Sequence, residues 1–158
     1  MRKKSKYKPR AILANPMGYV LESMTPVSKH NSFMVDLMIK NHGAMTSLMQ
    51  GKATRKDIDA LIQMTNISEA LYRLGFGTEY KDVVSAGLEA LREVAARGAK
   101  DNRFILRASE IKALNDAMEL HDAQMEVITI KDMERAIKLV YEEIRNKRAT
   151  TIKGIHHD

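Results

Sequence analysis

The chain has 158 residues and no cysteine, with 44% apolar and 29% charged side chains. That length and balance fit one globular domain with its own core, and the lack of cysteine excludes a disulfide framework and a thiolate metal site. The net charge of +6 is unevenly placed. Residues 1–10 carry Arg2, Lys3, Lys4, Lys6, Lys8 and Arg10 and no acid, residues 145–158 contribute +3, and the body between them holds 16 basic and 19 acidic side chains. A mildly acidic body therefore has two basic ends. No apolar run approaches the roughly 20 residues of a membrane helix, and no apolar core follows the basic start as it would in a secretory signal. A cytoplasmic protein with no membrane partner is the expectation.

In chain order, residues 1–10 are expected to be a disordered arm, because six like charges repel and little apolar surface offsets the ordering entropy. Residues 11–147 read as a single helical domain and 148–158 as a flexible tail. Asn15-Pro16 has the form of a helix start, with Asn as cap and Pro in the first turn. Tyr19, Val20 and Met24 would give this short helix an apolar face, and Pro26 ends it. Ser32 is the expected cap of a second helix that reaches Gln50 and stops at Gly51. Its apolar set includes Met34, Leu37, Met38, Met45, Leu48 and Met49. Eight of the eleven methionines lie at or before Met64. Methionine fills irregular gaps in cores and adapts on binding surfaces, so this helix reads as core filler or as a partner groove.

Thr54 and Asp57 form a capping-box pattern for a third helix running to about Leu74, with Asn66 and Ser68 marking a kink or local break. Thr78 opens a fourth, whose buried side is Val83, Gly87, Leu88, Leu91 and Val94. Gly87 would admit close approach of another helix, and Gly98 is the expected stop. Ser109 or Asn102 would cap a fifth helix, with Ile111, Leu114, Met118, Met125 and Ile128 on one side and His121 in the remaining slot. Thr129 with Asp132 caps a sixth, carrying Ile130, Met133, Ile137, Val140 and Ile144. Steps of three and four put each set on one helix side. Neither stripe can stay in water, and the nearest partner of each is the other. The fold class is therefore all-α: a bundle of about five main helices plus a short leading helix, ending in an antiparallel helical hairpin. The seam can close within one chain or across two, so a homodimer is among the expected partners.

The residues that could carry chemistry are few. His121-Asp122, with His30 or His42 before and Asp132 after, has the residue types of the all-α metal phosphohydrolases that join paired imidazoles and carboxylates on a divalent ion. The spacing argues against it: His42 lies 79 residues before His121, and Asp132 only ten after Asp122. Glu119, Asp122 and Glu126 share a face, as a solvated helix surface would. Gly75-x-Gly77 lacks the third glycine and preceding strand of a nucleotide loop. A helix-turn-helix across residues 67–91 would aim Glu79 and Asp82 at phosphates, which is repulsive. No catalytic residue, metal ligand or cofactor is expected.

The basic arm is the clearest functional signal. Arg2, Lys3, Lys4, Lys6, Lys8 and Arg10 suit a run along phosphates, with Tyr7 stacking on a base. Arg145, Lys147 and Arg148 would form a second patch if the C-terminus lies on the same side. Nucleic acid or a nucleoprotein is the expected partner. The alternative is a pure protein-binding adaptor or inhibitor without nucleic-acid affinity.

Lys6-Tyr7-Lys8-Pro9-Arg10 before an all-helical body, together with Asn41-His42-Gly43-Ala44, Leu71-Tyr72-Arg73-Leu74-Gly75 and Met118-Glu119-Leu120-His121-Asp122-Ala123, resembles small uncharacterised proteins encoded by phages and prophages of proteobacteria. The resemblance spans most of the chain and carries no assigned activity. It implies an accessory role in a host cell, as a regulator, a nucleic-acid-associated protein or an inhibitor of a host system.

Overall fold

A computed structural model describes residues 16–29 and 31–146. Six α-helices follow one another: α1 (Pro16–Ser23), α2 (Asn31–Met49), α3 (Arg55–Arg73), α4 (Lys81–Gly98), α5 (Ala108–Val127) and α6 (Ile130–Arg145). Single 3-10 turns at Val27–Lys29 and Thr78–Tyr80 precede α2 and α4, and the described residues contain no strand. The all-α class, with five main helices and a short leading one, is as the periodicity predicts. The expected cap Asn15 lies outside the described residues, as do the side chains of Tyr19 and Met34.

Helix α3 is the axis of assembly, touching α2, α4, α5 and α6. It starts where the capping box predicts: the Thr54 amide and hydroxyl both donate to the Asp57 carboxylate, at 2.7 and 2.8 Å. Its N-terminal half meets the end of α2, the second half of α4 and the first half of α5 in one core, built on Leu48, Ile58, Leu61, Leu91, Val94 and Leu114. Its C-terminal half meets the start of α6 in a second core, built on Leu71, Met125, Ile128, Met133 and Ala136. Between these cores both α3 and α5 turn polar inside: Thr65, Asn66, Ser68, His121 and Gln124 are all buried. The local break that Asn66 and Ser68 could mark does not occur: the helix runs unbroken through both. The buried hydroxyls on either side of Asn66 find partners without a break. Thr65 donates back to the Leu61 carbonyl at 2.8 Å, and Ser68 pairs with His121.

The expected C-terminal hairpin is corrected. Helix α5 packs against α4 and α3, and α6 packs against α3, instead of each arm covering the other. The link Ile128-Thr129 is extended at both residues and is pinned from outside. The Val27 amide donates to the Ile128 carbonyl at 3.0 Å and the Ile130 amide to the Thr25 carbonyl at 3.1 Å, an isolated antiparallel bridge that ties the α1–α2 link to this corner. Held there, the chain leaves α5 along the flank of α3. Close α4–α5 packing then depends on Gly87, where a Cβ would sit 2.7 Å from the Ala117 Cβ.

Smaller boundaries also move. Helix α4 proper begins at Lys81, after the 3-10 turn, and buries Val84 where Val83 is only half covered. The cap of α5 is Arg107, not Ser109 or Asn102: its amide donates to the Glu110 carboxylate at 2.7 Å, so the acid in the first turn sets the start. Gly98 is the last residue of α4 and is needed for packing, since a Cβ there would collide with the Phe104 ring.

Candidate functional site: an apolar groove beside a buried histidine

The sequence places five apolar side chains along α6, and α3 covers only part of that stripe. Met133 is 7% exposed, whereas Ile137 is 38% and Ile144 44% exposed, with Tyr141 beside them at 63%. These side chains form one wall of a groove of about 340 Å³. The opposite walls are Leu37 and Lys40 from α2 and Gln63, Met64 and Ile67 from α3, with Asn41 and His121 also lining it. On the other side of α6, Arg73 of α3 bridges Glu143 of α6 at 3.6 Å while also pairing with Glu69 of its own helix at 2.8 Å. Neither Arg73 nor Glu143 lines the groove. Among the described residues Lys40 is the only charged one lining it, and its ammonium donates to the Gln63 amide oxygen at 2.9 Å.

Beneath the groove, His121 occupies the slot its spacing gave it and is 2% exposed. The Asn41 amide lies 3.5 Å from Nε2 and the Ser68 hydroxyl 3.0 Å from Nδ1. With Asn41 donating to Nε2, the ring proton sits on Nδ1 and is donated to Ser68. Burial pushes the imidazole pKa down from 6.5 to about 4, and the charge of His42 adds a smaller push in the same direction. The ring is therefore neutral near pH 7 and acts as a packed hydrogen-bonding group. One turn on, the Gln124 amide donates to the carbonyls of Ser68 at 3.2 Å and Phe76 at 3.0 Å, tying α5 to α3 and to the turn that follows it.

The His121-Asp122 pair is thus split between inside and outside. Asp122 faces out and meets His42 at 3.0 Å, while Asp132 is held in the α6 cap by the Thr129 hydroxyl at 2.7 Å. Among the described residues no three His, Asp or Glu side chains are grouped to hold a metal ion. Glu119 and Glu126 are exposed on the outer face of α5. The methionines divide: Met45, Met64, Met118, Met125 and Met133 are buried, whereas Met17, Met24, Met38 and Met49 are exposed.

Of the residues singled out for nucleic-acid contact, Arg2, Lys3, Lys4, Lys6, Tyr7, Lys8 and Arg10 lie outside the described residues, as do Lys147 and Arg148. Arg145 is exposed in the last turn of α6. The groove itself was not singled out from the sequence. Its signal was present in the α6 stripe, which is longer than the surface α3 offers. No helix among the described residues is long and apolar enough to cross a membrane. The chain matches no protein-family model, no curated protein and no solved structure.

Proposed function

We propose that this is a non-enzymatic interaction protein whose helical body docks an apolar helical segment of a protein partner in the groove between α2, α3 and α6. The observation that carries the reading is the uncovered outer half of the α6 stripe, Ile137, Tyr141 and Ile144. Scattered apolar side chains on a surface are ordinary, but a concave run of them flanked by polar side chains is the usual seat of an amphipathic helix. An anilinonaphthalene sulfonate dye tests it. The folded chain, diluted until it is monomeric, should enhance the dye's fluorescence, and Ile137→Glu should remove most of that enhancement while leaving the circular dichroism intact. Equal enhancement in the two chains overturns the reading.

A second reading rests on the charge segregation. Six basic side chains in residues 1–10, ahead of a body with an acidic excess, suit an arm that contacts nucleic acid or a nucleoprotein while the body holds its protein partner. Together with the resemblance to phage and prophage proteins, this suits an accessory protein of mobile-element type. Six phosphate contacts on duplex DNA correspond to a log–log salt slope of about −5. Binding across a salt series, for the full chain and for one lacking residues 1–10, tests it. A steep slope that the truncation abolishes supports the arm, and salt-insensitive or absent binding leaves a pure protein-binding adaptor.

A further inference from the structure

The groove has a candidate occupant within the same chain. Among the described residues, fourteen large apolar side chains are exposed; ten of them lie on α1, α2 and α6, and Met24 follows just after α1. The four on and just beyond α1 are Met17, Val20, Leu21 and Met24. Their spacing, i, i+3, i+4 and i+7, is that of the anchor residues by which an amphipathic helix fills a groove. Among the described residues nothing buries them. Helix α1 touches α6 only lightly, and Val20 and Met24 overhang a gap of about 330 Å³ whose far wall is polar: Lys131, Glu134, Arg135 and Lys138.

Charge agrees with shape. Glu22 is the only charged residue of α1, and among the described residues Lys40 is the only charged one lining the groove. Among the described residues neither has an oppositely charged partner. The bridge at Thr25 and Val27 holds the end of α1 beside the start of α6, and Met17, Leu21 and Met24 remain largely exposed there. Two copies related by a two-fold axis could each offer a helix and receive one, the self-complementary arrangement of most homodimers.

We propose that the groove receives α1 of a second copy of this chain, reciprocally, with Glu22 of each copy facing Lys40 of the other. The proposal rests on the reading of the groove as a docking site and names its occupant.

Sedimentation of the full chain is the first test, and the expected result is a concentration-dependent species of twice the 17.9 kDa monomer mass. Leu21→Asp and Ile137→Asp, both at exposed positions, should each give folded monomers. Mixing these two variants should restore a weaker heterodimer, because one helix–groove contact survives. Glu22→Lys and Lys40→Glu should each weaken the dimer by about two- to tenfold, and the double variant should recover it. The absence of cysteine makes a direct proximity test clean: Leu21→Cys chains mixed with Ile137→Cys chains should form a disulfide-linked heterodimer on mild oxidation. A chain that stays monomeric at high concentration, or a dimer indifferent to Leu21→Asp, overturns the proposal. The dye then separates the two readings. If Ile137→Glu still removes the dye signal, the groove is a docking site and only its self-occupant falls. If the dye ignores Ile137→Glu, both fall.

Discussion

Lowering the pH should destabilise this fold through His121 in a calculable way. The imidazole is buried, and its pKa falls from 6.5 to about 4 in the folded chain. Above pH 6.5 the ring is neutral in both folded and unfolded chains and contributes nothing to the pH dependence. Below pH 6.5 the unfolded chain takes up a proton that the folded one refuses, so stability is lost as pH falls and levels off only below pH 4. The loss attributable to this one ring is about 2 kcal/mol at pH 5 and about 3 kcal/mol at pH 4. His121→Gln keeps a hydrogen-bonding side chain between Asn41 and Ser68 but cannot titrate. Urea unfolding of both chains at pH 7, 6 and 5 gives the comparison. The wild type should lose about 2 kcal/mol more than the variant between pH 7 and 5. Parallel pH profiles for the two chains would refute the burial of a neutral ring, whatever the absolute stabilities.

Other substitutions test the packing. Gly87→Ala should destabilise by about 1–3 kcal/mol in thermal melts despite the better helix propensity of Ala, because the new methyl meets Ala117, and Ala117→Gly in the same chain should recover part of the loss. Thr129→Ala removes the hydroxyl that receives the Asp132 amide at 3.3 Å and should cost about 1 kcal/mol in urea unfolding. Arg97 grips Glu110 with two bonds of 2.6 Å. Burial raises the Glu110 pKa, but the Arg97 bonds and the Arg107 amide outweigh it and hold the carboxyl below 4.5. The pair's contribution is therefore present above about pH 4.5 and fades as pH falls through the lowered value, so Arg97→Gln should be less stable than wild type at pH 7 and the gap should narrow in acid melts.

Much of the fold was legible because local signals and tertiary packing agreed. The Thr54–Asp57 and Thr129–Asp132 caps and the close approach at Gly87 follow from spacing and side-chain chemistry, whereas the spacing of His121 gave its side of α5 but not that Asn41 and Ser68 enclose it. The pairing of helices was not legible. Sequence adjacency favours covering α5 with α6, but the extended Ile128-Thr129 link is bonded to Thr25 and Val27, about a hundred residues earlier in the chain, and no local pattern carries that contact. For the same reason the groove was invisible. The α6 stripe announces that it needs cover, yet how much of it α3 reaches is decided by three helices at once. The Arg107 cap escaped because Arg is not a capping residue by type, and the useful sign was Glu110 in the first turn.

The outer half of the α6 stripe is assigned to docking and the inner half to folding, and one set of unfolding measurements separates them. Met133→Ala, Tyr141→Ala and Ile144→Ala are compared with wild type by urea unfolding at two protein concentrations, so that any share due to self-association shows as a concentration dependence. Met133→Ala should cost about 2–5 kcal/mol at both concentrations. Tyr141→Ala and Ile144→Ala should cost about 1 kcal/mol or less at the lower concentration. Losses at Tyr141 and Ile144 as large as the loss at Met133, independent of concentration, would mean that these side chains are core and that the groove is not a docking surface.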